Sequence, residues 1–304
     1  MREIFIGIDG GGTKTKVLVE DGLGFELGSA LSGPGNIRSV AGAWASINEG
    51  VDSALKKAGI SLKDPYYKFH LGLGLAGTEV QESYEAFLKV PHSFDTLVLD
   101  SDAYAACLGV HGNKNGAIII IGTGVIGFQV EEGERSRVGG WGFPHADEGG
   151  GAWLGMEVLR LSFKALDGRC ERTPLLDTIL KKFEATETSA KMLISFANHA
   201  KPNDFGSLVP LITEYLERED PHAQTLVEKA AQEIGLVAKA LEKKRDKNDV
   251  RYSGALPLCL LGGVAKFLSP FLSPEIRARC VPRQFDAAKG AIFMVKDYLK
   301  SIQE

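Results

Sequence analysis

Residues 3–20 read EIFIGIDGGGTKTKVLVE, and this stretch decides the fold. Ile4, Ile6 and Ile8 occupy alternate positions, which is typical of a β-strand, and three glycines then precede a second extended run. Residues 25–30 have the composition of a third strand that returns beside the second. The pattern therefore predicts a strand, a tight glycine turn and further strands, and not a strand followed by a helix.

The same succession of strand, glycine turn and strand recurs at residues 117–130. Residues 117–121, AIIII, predict a buried strand, and residues 125–131 alternate again after Gly122-Thr123-Gly124. Between the two copies, apolar residues over 40–58 recur at helical spacing, and a glycine at position 59 ends the helix. The repetition predicts two related α/β lobes, each built on its own sheet.

The predicted first lobe contains residues 1–112, and a closing helix within 284–304 returns to it. The second lobe contains 113–283, with a long helical insertion at 151–250. Helical spacing is found at roughly 151–167, 174–185, 187–200, 206–218 and 222–244, and three prolines interrupt the pattern.

Composition excludes several classes of protein. The chain has 304 residues, 44% of them hydrophobic and 24% charged, and a net charge of −4, which gives no electrostatic footprint for nucleic acid. The longest apolar run, Ala117–Ile121, is far shorter than the roughly 20 residues of a membrane-spanning helix, and residues 1–9 do not form a signal peptide. The cysteines are scattered and predict no disulfide or metal motif; they are Cys107, Cys170, Cys259 and Cys280. We expect a cytoplasmic protein with reduced thiols, with no nucleic-acid or membrane partner.

The first glycine turn has the chemistry of a phosphate site. Glycines let a backbone approach a phosphate closely and direct successive N–H groups toward it. The residues predicted to bind there are Asp9, Gly10, Gly11, Gly12, Thr13, Lys14 and Thr15. The carboxylate of Asp9 would hold a Mg²⁺ ion that bridges phosphates. The alternative is an ordinary glycine-rich hairpin, with Lys14 projecting from an exposed strand.

Two further strand ends carry glycines, at Gly122-Thr123-Gly124 and at Gly262-Gly263. Each is a weak signal alone, but three such junctions in this order, together with the repeated strand pattern, indicate a nucleotide-binding protein. The P-loop pattern is absent from the sequence. A G-x-G-x-x-G pattern at 122–127 is followed by a strand and not by the helix that a dinucleotide site requires.

A second G-x-G-x-x-G pattern, at 72–77, is the basis of a rival interpretation as an NAD-dependent dehydrogenase. A predicted strand precedes it, a predicted helix follows it, and Asp100 ends the next strand. The alternative is that these glycines allow a helix and a strand to pack closely. The dehydrogenase interpretation would also leave the 9–15 segment unexplained.

The order of these segments resembles the superfamily of sugar kinases, actin and heat-shock chaperone ATPases. More narrowly, nearly the whole chain resembles the N-acetylglucosamine kinase/BadF-type ATPase family, and residues 101–109, SDAYAACLG, are especially similar to bacterial glucosamine kinases. The resemblance implies a two-lobed ribonuclease-H-like (actin-like ATPase) α/β fold with an interlobe cleft. It also implies ATP and Mg²⁺ as cofactors, phosphorylation of an amino sugar at its 6-hydroxyl, and a homodimer.

The resemblance implies a role for individual residues of this sequence. Asp102 matches the catalytic aspartate, Thr123 matches the threonine of the second phosphate turn, and the glycine pair at 262–263 would approach the adenosine. The residues that would contact the sugar are Asn36, Gly77, Thr78, Gly140, Trp141 and Asp147. Glu148 would join Asp9 in orienting Mg²⁺ or a water molecule.

Several of these residues also have simpler interpretations. Asp102 would serve equally well as the cap of a helix that starts at Ala103, and Trp141 as part of the core. The spacing of His145, Asp147 and Glu148 matches no zinc pattern.

The chain departs from the family after the second turn, where relatives have serine and sometimes asparagine and this sequence has Val125 and Ile126. Apolar side chains cannot donate to an acetamido group.

Three other functions compete with the kinase. A BadF-type activator ATPase needs cysteines for an iron–sulfur cluster, a sugar sensor needs a helix-turn-helix segment, and a dehydrogenase would bind NAD instead of ATP.

Overall fold

The computed structural model describes residues 1–244 and 255–303 of the chain. The chain forms two compact units. Unit 1 contains Met1–Gly116, Gln129–Glu134 and Pro282–Glu304, and unit 2 contains Ala117–Phe128 and Arg135–Val281. Residues 129–134 are grouped with unit 1, although the sequence analysis assigns them to the second lobe.

Unit 1 is built on a mixed five-stranded sheet. Its elements are β1 (Arg2–Gly10), β2 (Thr15–Asp21), β3 (Glu26–Ser32), α1 (Val40–Ala58), β4 (Tyr67–Leu75), α2 (Gln81–Leu88), β5 (Thr96–Ser101), α3 (Asp102–His111) and α12 (Ala287–Ser301). The strand order is β3-β2-β1-β4-β5. β2 is antiparallel to β1 and β3, whereas β4 is parallel to β1 and β5. The predicted strand, glycine turn and strand at the start of the chain are confirmed.

Strand β1 is buried on both faces. Ile4, Ile6 and Ile8 lie in the core that includes α1, whereas Phe5 packs with residues of α12. Full burial of each isoleucine stabilises the unit by about 1.5–3 kcal/mol. Helix α1 has the predicted bounds, and Gly59 ends it in the left-handed conformation, with φ of 68°.

Helix α12 approaches the sheet closely because β1 and β4 have glycines beneath it. A Cβ atom on Gly72 would lie 1.9 Å from the carbonyl oxygen of Ala291, and one on Gly7 would lie 1.9 Å from that of Ala288. Gly74 packs in the same way against Ala105 of α3. Gly72 and Gly74 therefore lie within β4 and serve helix packing, which contradicts the dinucleotide interpretation of residues 72–77.

Unit 2 combines most of a four-stranded sheet with a helical region. The strands are β6 (Gly116–Ile121), β7 (Val125–Glu131), β8 (Glu134–Gly139) and β9 (Leu258–Leu261). Their order is β8-β7-β6-β9, and β6 and β9 are parallel. The helices are α4 (Gly151–Leu166), α5 (Pro174–Lys182), α6 (Lys191–His199), α7 (Pro202–Gly206), α8 (Val209–Glu217), α9 (Pro221–Lys243), α10 (Ala265–Leu268) and α11 (Pro274–Arg279).

The prolines that interrupt the helical pattern mark the starts of helices. Pro174, Pro202 and Pro221 each stand in the first turn, of α5, α7 and α9, where the missing N–H costs nothing. The predicted helical insertion at 151–250 is observed up to Lys243, and residues 245–250 lie outside the described residues. Within the described ranges, no helix combines the length and apolar character needed to cross a membrane.

Candidate active site

The first glycine turn, between β1 and β2 in unit 1, has open space around its tip. The backbone N–H of Gly11 donates to the carbonyl of Lys14 at 3.0 Å and closes the turn. A Cβ atom on Gly11 would meet only that carbonyl oxygen, at 3.8 Å, and one on Gly12 would meet nothing within 4 Å. Gly12, Thr13 and Lys14 are exposed. The tip can therefore accept a bulky anion against its backbone.

The base of the same turn is packed, in contrast to its tip. Thr15 is buried, and its hydroxyl donates to the carbonyl of Gly33 at 2.8 Å. A Cβ atom on Gly10 would lie 2.5 Å from Cδ2 of Leu75. Of the predicted nucleotide-binding residues, Gly10 and Thr15 thus support the turn, and Gly11–Lys14 present the surface that a ligand can reach.

Three carboxylates and a lysine come together behind this turn. Burial, together with the negative charges of Asp102 and Asp286, raises the pKa of Asp9 to about 6, against the smaller influence of Lys16 and Lys14. Lys16 stands directly opposite Asp9 in the β1–β2 register. Asp9 and Asp100 both pair with Gly74 of β4, and Asp102 begins α3 directly after β5. Unit 1 therefore brings Asp9 and Asp102, which are far apart in sequence, to the same edge of its sheet.

The Asp286 carboxylate accepts a hydrogen bond from the side-chain ammonium group of Lys16. It accepts another from the backbone N–H of Lys289, at 3.1 Å. Burial acts to raise the pKa of Asp286, but these hydrogen bonds outweigh it and leave the pKa lowered. Asp286 is thus paired with Lys16 and hydrogen-bonded by Lys289. A cation at this turn would be attracted by the negative charges of Asp9 and Asp102.

These carboxylates fit a Mg²⁺ ion that is held partly by its ligand. Within the described residues, no group of three or more His, Cys, Asp or Glu side chains could hold a metal by itself. Mg²⁺ in nucleotide sites is bound by one or two carboxylates together with phosphate oxygens and water. The chemistry of Asp9 matches that type of site. Glu148 is exposed and lies in unit 2.

Asp102 begins helix α3 but does not cap it. The cap is Ser101, whose hydroxyl accepts the backbone N–H of Tyr104 at 3.2 Å. The Asp102 carboxylate accepts the adjacent backbone N–H of Ala103 at 2.8 Å. The alternative that Asp102 is the helix cap is therefore wrong, because the preceding serine fills that position.

Two loops of unit 1 bring predicted sugar-binding residues side by side. Gly77 has φ of +94°, and a Cβ atom there would lie 2.7 Å from Oδ1 of Asn36. The backbone N–H of Ile37 donates to the carbonyl of Ala76 at 3.0 Å, which joins the loops. Thr78 follows in the second loop and is half-buried. The structure thus places Asn36 and Gly77 in contact.

The second glycine turn, in unit 2, abuts the start of α4. The N–H groups of Gly151 and Ala152 donate to the carbonyls of Gly122 and Thr123, at 2.8 and 2.9 Å. A Cβ atom on Gly122 would meet nothing within 4 Å. A helix start carries partial positive charge, so an anion is favoured beside such a turn.

The hydroxyl of Thr123 donates to Oδ1 of Asn203 in α7, at 2.8 Å. Asn203 therefore belongs to the surroundings of the second turn, although the sequence analysis missed it. No local signal marks Asn203, because the contact joins positions 80 residues apart.

Asp147 lies behind the second turn. Its Oδ2 would be 2.4 Å from a Cβ atom on Gly124, and its Oδ1 is buried without a hydrogen-bond partner among the described residues. Burial raises the pKa of Asp147, and hydrogen bonds from the backbone N–H groups of Val125 and Gly142 only partly oppose this. The unpartnered oxygen retains an unused capacity to accept a hydrogen bond.

The loop after β8 exposes an aromatic side chain. Trp141 is 80% exposed, so the alternative that it belongs to the core is wrong. Gly140, beside it, has φ of +68°. Ile126, one of the two residues that depart from the family, packs against Gly140, where a Cβ atom would lie 3.1 Å from the isoleucine side chain.

The third glycine junction follows β9, and its two glycines differ. Gly262 has φ of +95°, and a Cβ atom there would lie 2.2 Å from the carbonyl oxygen of Ile121. A Cβ atom on Gly263 would meet nothing within 4 Å. Gly262 therefore allows close packing of β9 on β6, and Gly263 presents open backbone.

Comparisons with known proteins agree with the sequence resemblance. The model of the BadF/BadG/BcrA/BcrD ATPase family matches residues 6–294. A glucosamine kinase of Vibrio cholerae is 35% identical over 289 residues, covering 95% of this chain and 94% of that protein. An N-acetyl-D-glucosamine kinase of Dictyostelium discoideum is 32% identical over 297 residues, covering 90% of both chains.

Solved structures share the fold. A Chromobacterium violaceum protein assigned as an N-acetylglucosamine kinase has a TM-score of 0.82 at 32% identity, covering 96% of this chain and 98% of that one. A ROK hexokinase from Thermus thermophilus has a TM-score of 0.53 at 18% identity, covering 98% and 99% of the two chains, which shows the fold alone. The predicted ribonuclease-H-like α/β fold is confirmed.

Proposed function

Because the chain belongs to the BadF/BadG/BcrA/BcrD ATPase family, we propose that it is an ATP-dependent kinase of an amino sugar. The proposed reaction transfers the terminal phosphoryl group of ATP to the 6-hydroxyl of glucosamine or N-acetylglucosamine. The names of the Vibrio cholerae and Dictyostelium discoideum relatives support this substrate class. The observation that carries the proposal is that Asp9 and Asp102 lie at the same edge of the first sheet, beside an open glycine turn.

Asp102 is the proposed general base. Its position in the first turn of α3 favours the ionised carboxylate, because the start of a helix is electropositive. An ionised carboxylate can accept the proton of a sugar hydroxyl as that oxygen attacks the phosphoryl group. Phosphoryl transfer otherwise depends mainly on positioning and charge stabilisation, which the glycine turns and Lys14 would supply.

The nucleotide contacts are proposed for the open parts of the turns. Gly11–Lys14 in unit 1 and Gly122–Gly124 in unit 2 would bind phosphates, and Gly263 would lie along the adenosine. When bound, Mg²⁺ would neutralise phosphate charge, with Asp9 as its protein ligand and Glu148 orienting it or a water molecule. Thr15, Gly10 and Gly262 hold these turns in place through the packing described above.

The sugar contacts are proposed for two sets of residues. Asn36, Gly77 and Thr78 would contact it from unit 1. In unit 2, the unpartnered Oδ1 of Asp147 would accept a sugar hydroxyl, and the exposed indole of Trp141 would cover a ring face. Gly140 would let the chain approach the sugar.

Replacing Gly11 with Val should raise the KM for ATP strongly, by about tenfold or more, because a branched side chain would fill the space that a phosphate must enter. The fold tolerates the change, because a Cβ atom at Gly11 meets nothing closer than 3.8 Å. The matched control is Gly22→Val, in the turn between β2 and β3, where the atom nearest to a Cβ would be 3.9 Å away. Calorimetry that shows tight binding of NAD and none of ATP would overturn the kinase.

The sugar preference should follow from Val125 and Ile126. A buried donor that loses its partner costs about 1–3 kcal/mol, so a site built around an acetamido carbonyl discriminates strongly. Val125 is buried and Ile126 packs on Gly140, and neither side chain can donate. We expect glucosamine to be used at least as well as N-acetylglucosamine, and both better than glucose.

A coupled ADP-release assay tests this preference with glucosamine, N-acetylglucosamine, glucose, N-acetylmuramic acid and N-acetylmannosamine. Phosphorus–carbon coupling in the NMR spectrum of the product identifies the phosphorylated hydroxyl. A kcat/KM for N-acetylglucosamine a hundredfold above that for glucosamine would refute the preference and leave the kinase intact. No ADP release with any sugar would instead favour an activator ATPase or a sugar sensor.

A further inference from the structure

Trp141 is unlike the other two tryptophans of the chain. Trp44 is 5% exposed and stacks on Phe87, and Trp153 is half-buried in unit 2, whereas Trp141 is 80% exposed. Indole buries more apolar area than almost any other side chain when it finds a partner. An indole left in solvent on a glycine-rich loop therefore has apolar surface available for a ligand.

The loop that carries Trp141, residues 139–142, has little conformational preference of its own. Gly139, Gly140 and Gly142 all have positive φ, of 71°, 68° and 99°. Glycine loses more conformational freedom on ordering than any other residue, so three glycines in four residues make this tryptophan loop costly to fix. Other contacts must hold it in one conformation.

Arg137, at the end of β8, supplies those contacts. Its Nε donates to the carbonyl of Gly139 at 3.1 Å, and its Nη2 donates to the carbonyl of Gly140. The guanidinium carbon lies 5.0 Å from the centroid of the Trp141 ring, within the range of a cation–π interaction. One planar side chain thus binds two successive carbonyls and covers one face of the indole.

Gly140 is also held from the opposite strand. Its N–H donates to the carbonyl of Val125 at 2.8 Å, and Ile126 and Arg137 both lie 3.1 Å from the position of a Cβ atom on Gly140. The tryptophan loop is therefore fixed between β7 and the guanidinium group. With the arginine on one face of the indole, the other face remains open to solvent.

We propose that Arg137 is a positioning residue that fixes the tryptophan loop, so that the free face of Trp141 receives the apolar face of a pyranose ring. This inference rests on the proposed sugar kinase activity. A pyranose presents C–H groups on its faces, and their burial against a flat indole removes apolar surface from water. A guanidinium can bind both carbonyls and stack at once, whereas an ammonium cannot.

The test compares Arg137→Met and Arg137→Lys with the parent protein. Arg137→Met should raise the KM for the sugar about tenfold or more, since the tryptophan loop loses two hydrogen bonds from a charged donor. The KM for ATP should stay within twofold of the parent value. The KM for the sugar in Arg137→Lys should lie between the values for the parent and for Arg137→Met. The matched control is Arg169→Met, because that arginine pairs with exposed Asp167 elsewhere in unit 2. A sugar KM within twofold of the parent in Arg137→Met would overturn the inference.

A second measurement needs no turnover. The fluorescence anisotropy of Trp141, taken as the difference between each protein and its Trp141→Phe version, should fall in the ligand-free Arg137→Met variant. Unchanged anisotropy would refute the positioning role. If the parent protein turns over no sugar, the proposed function fails by itself, and lowered anisotropy would still support the hold of Arg137 on the tryptophan loop. If Arg137→Met raises the KM for the sugar and the KM for ATP equally and also lowers the Tm, Arg137 has a structural role only, and the inference is overturned.

Discussion

Replacement of Asp102 by Asn should lower kcat by about 10²–10⁴, the range typical of a lost general base, with the KM values for ATP and sugar within a few fold. Asparagine keeps the size of the side chain and its ability to accept the N–H of Ala103. It cannot take a proton from a hydroxyl at neutral pH. Steady-state ADP release gives both parameters.

The neighbouring serine offers a matched control for this change. Ser101 caps α3 through its hydroxyl, so Ser101→Ala should lower the free energy of unfolding by about 1 kcal/mol and leave kcat nearly unchanged. Asp102→Asn should lower kcat and leave the free energy of unfolding nearly unchanged. Near-normal turnover in Asp102→Asn would show that this aspartate is not the general base. It would not return Asp102 to the role of helix cap, because Ser101 fills that position.

The regular elements of the fold could be predicted from the sequence because their signals are local. Alternation in β1 and β2, the helical spacing of α1 and its terminal glycine all lie within a few residues of one another. Helices α7, α10 and α11 were missed, because their 5, 4 and 6 residues are too few to show a helical period. Packing of the surrounding chain determines such short helices.

The candidate site was predictable in residue type but not in detail. Sequence alone does not distinguish Gly10 from Gly11, although one packs on Leu75 and the other faces open space. The cap of α3 was assigned to Asp102 as an alternative, because both residues of Ser101-Asp102 are good caps. Arg137 was missed altogether. Its contacts depend on a loop conformation that only positive φ angles at neighbouring glycines produce.

The pKa of Asp9 leads to a prediction in which stability and activity change in opposite directions. Burial, with Asp102 and Asp286 nearby, raises this pKa from 3.8 to about 6, so the folded protein binds a proton there more tightly than the unfolded chain. The stability that this group contributes is complete below pH 4, is lost as the pH rises through about 6, and is absent at neutral pH. An ionised, half-buried Asp9 therefore destabilises the ligand-free protein at neutral pH.

Asp9→Asn should consequently stabilise the ligand-free protein at pH 7.5 by about 1–3 kcal/mol and lower turnover by about 10² or more, because an amide is a poor ligand for Mg²⁺. Urea unfolding between pH 4 and 8 measures the first effect as the difference between parent and variant. That difference should be largest above pH 6 and vanish near pH 4. The exposed Asp52 provides the control, since Asp52→Asn should change neither quantity. A variant that is less stable than the parent at pH 7.5 would show that the Asp9 carboxylate serves the fold. A variant that keeps full Mg²⁺-dependent turnover would show that Asp9 does not hold the cation.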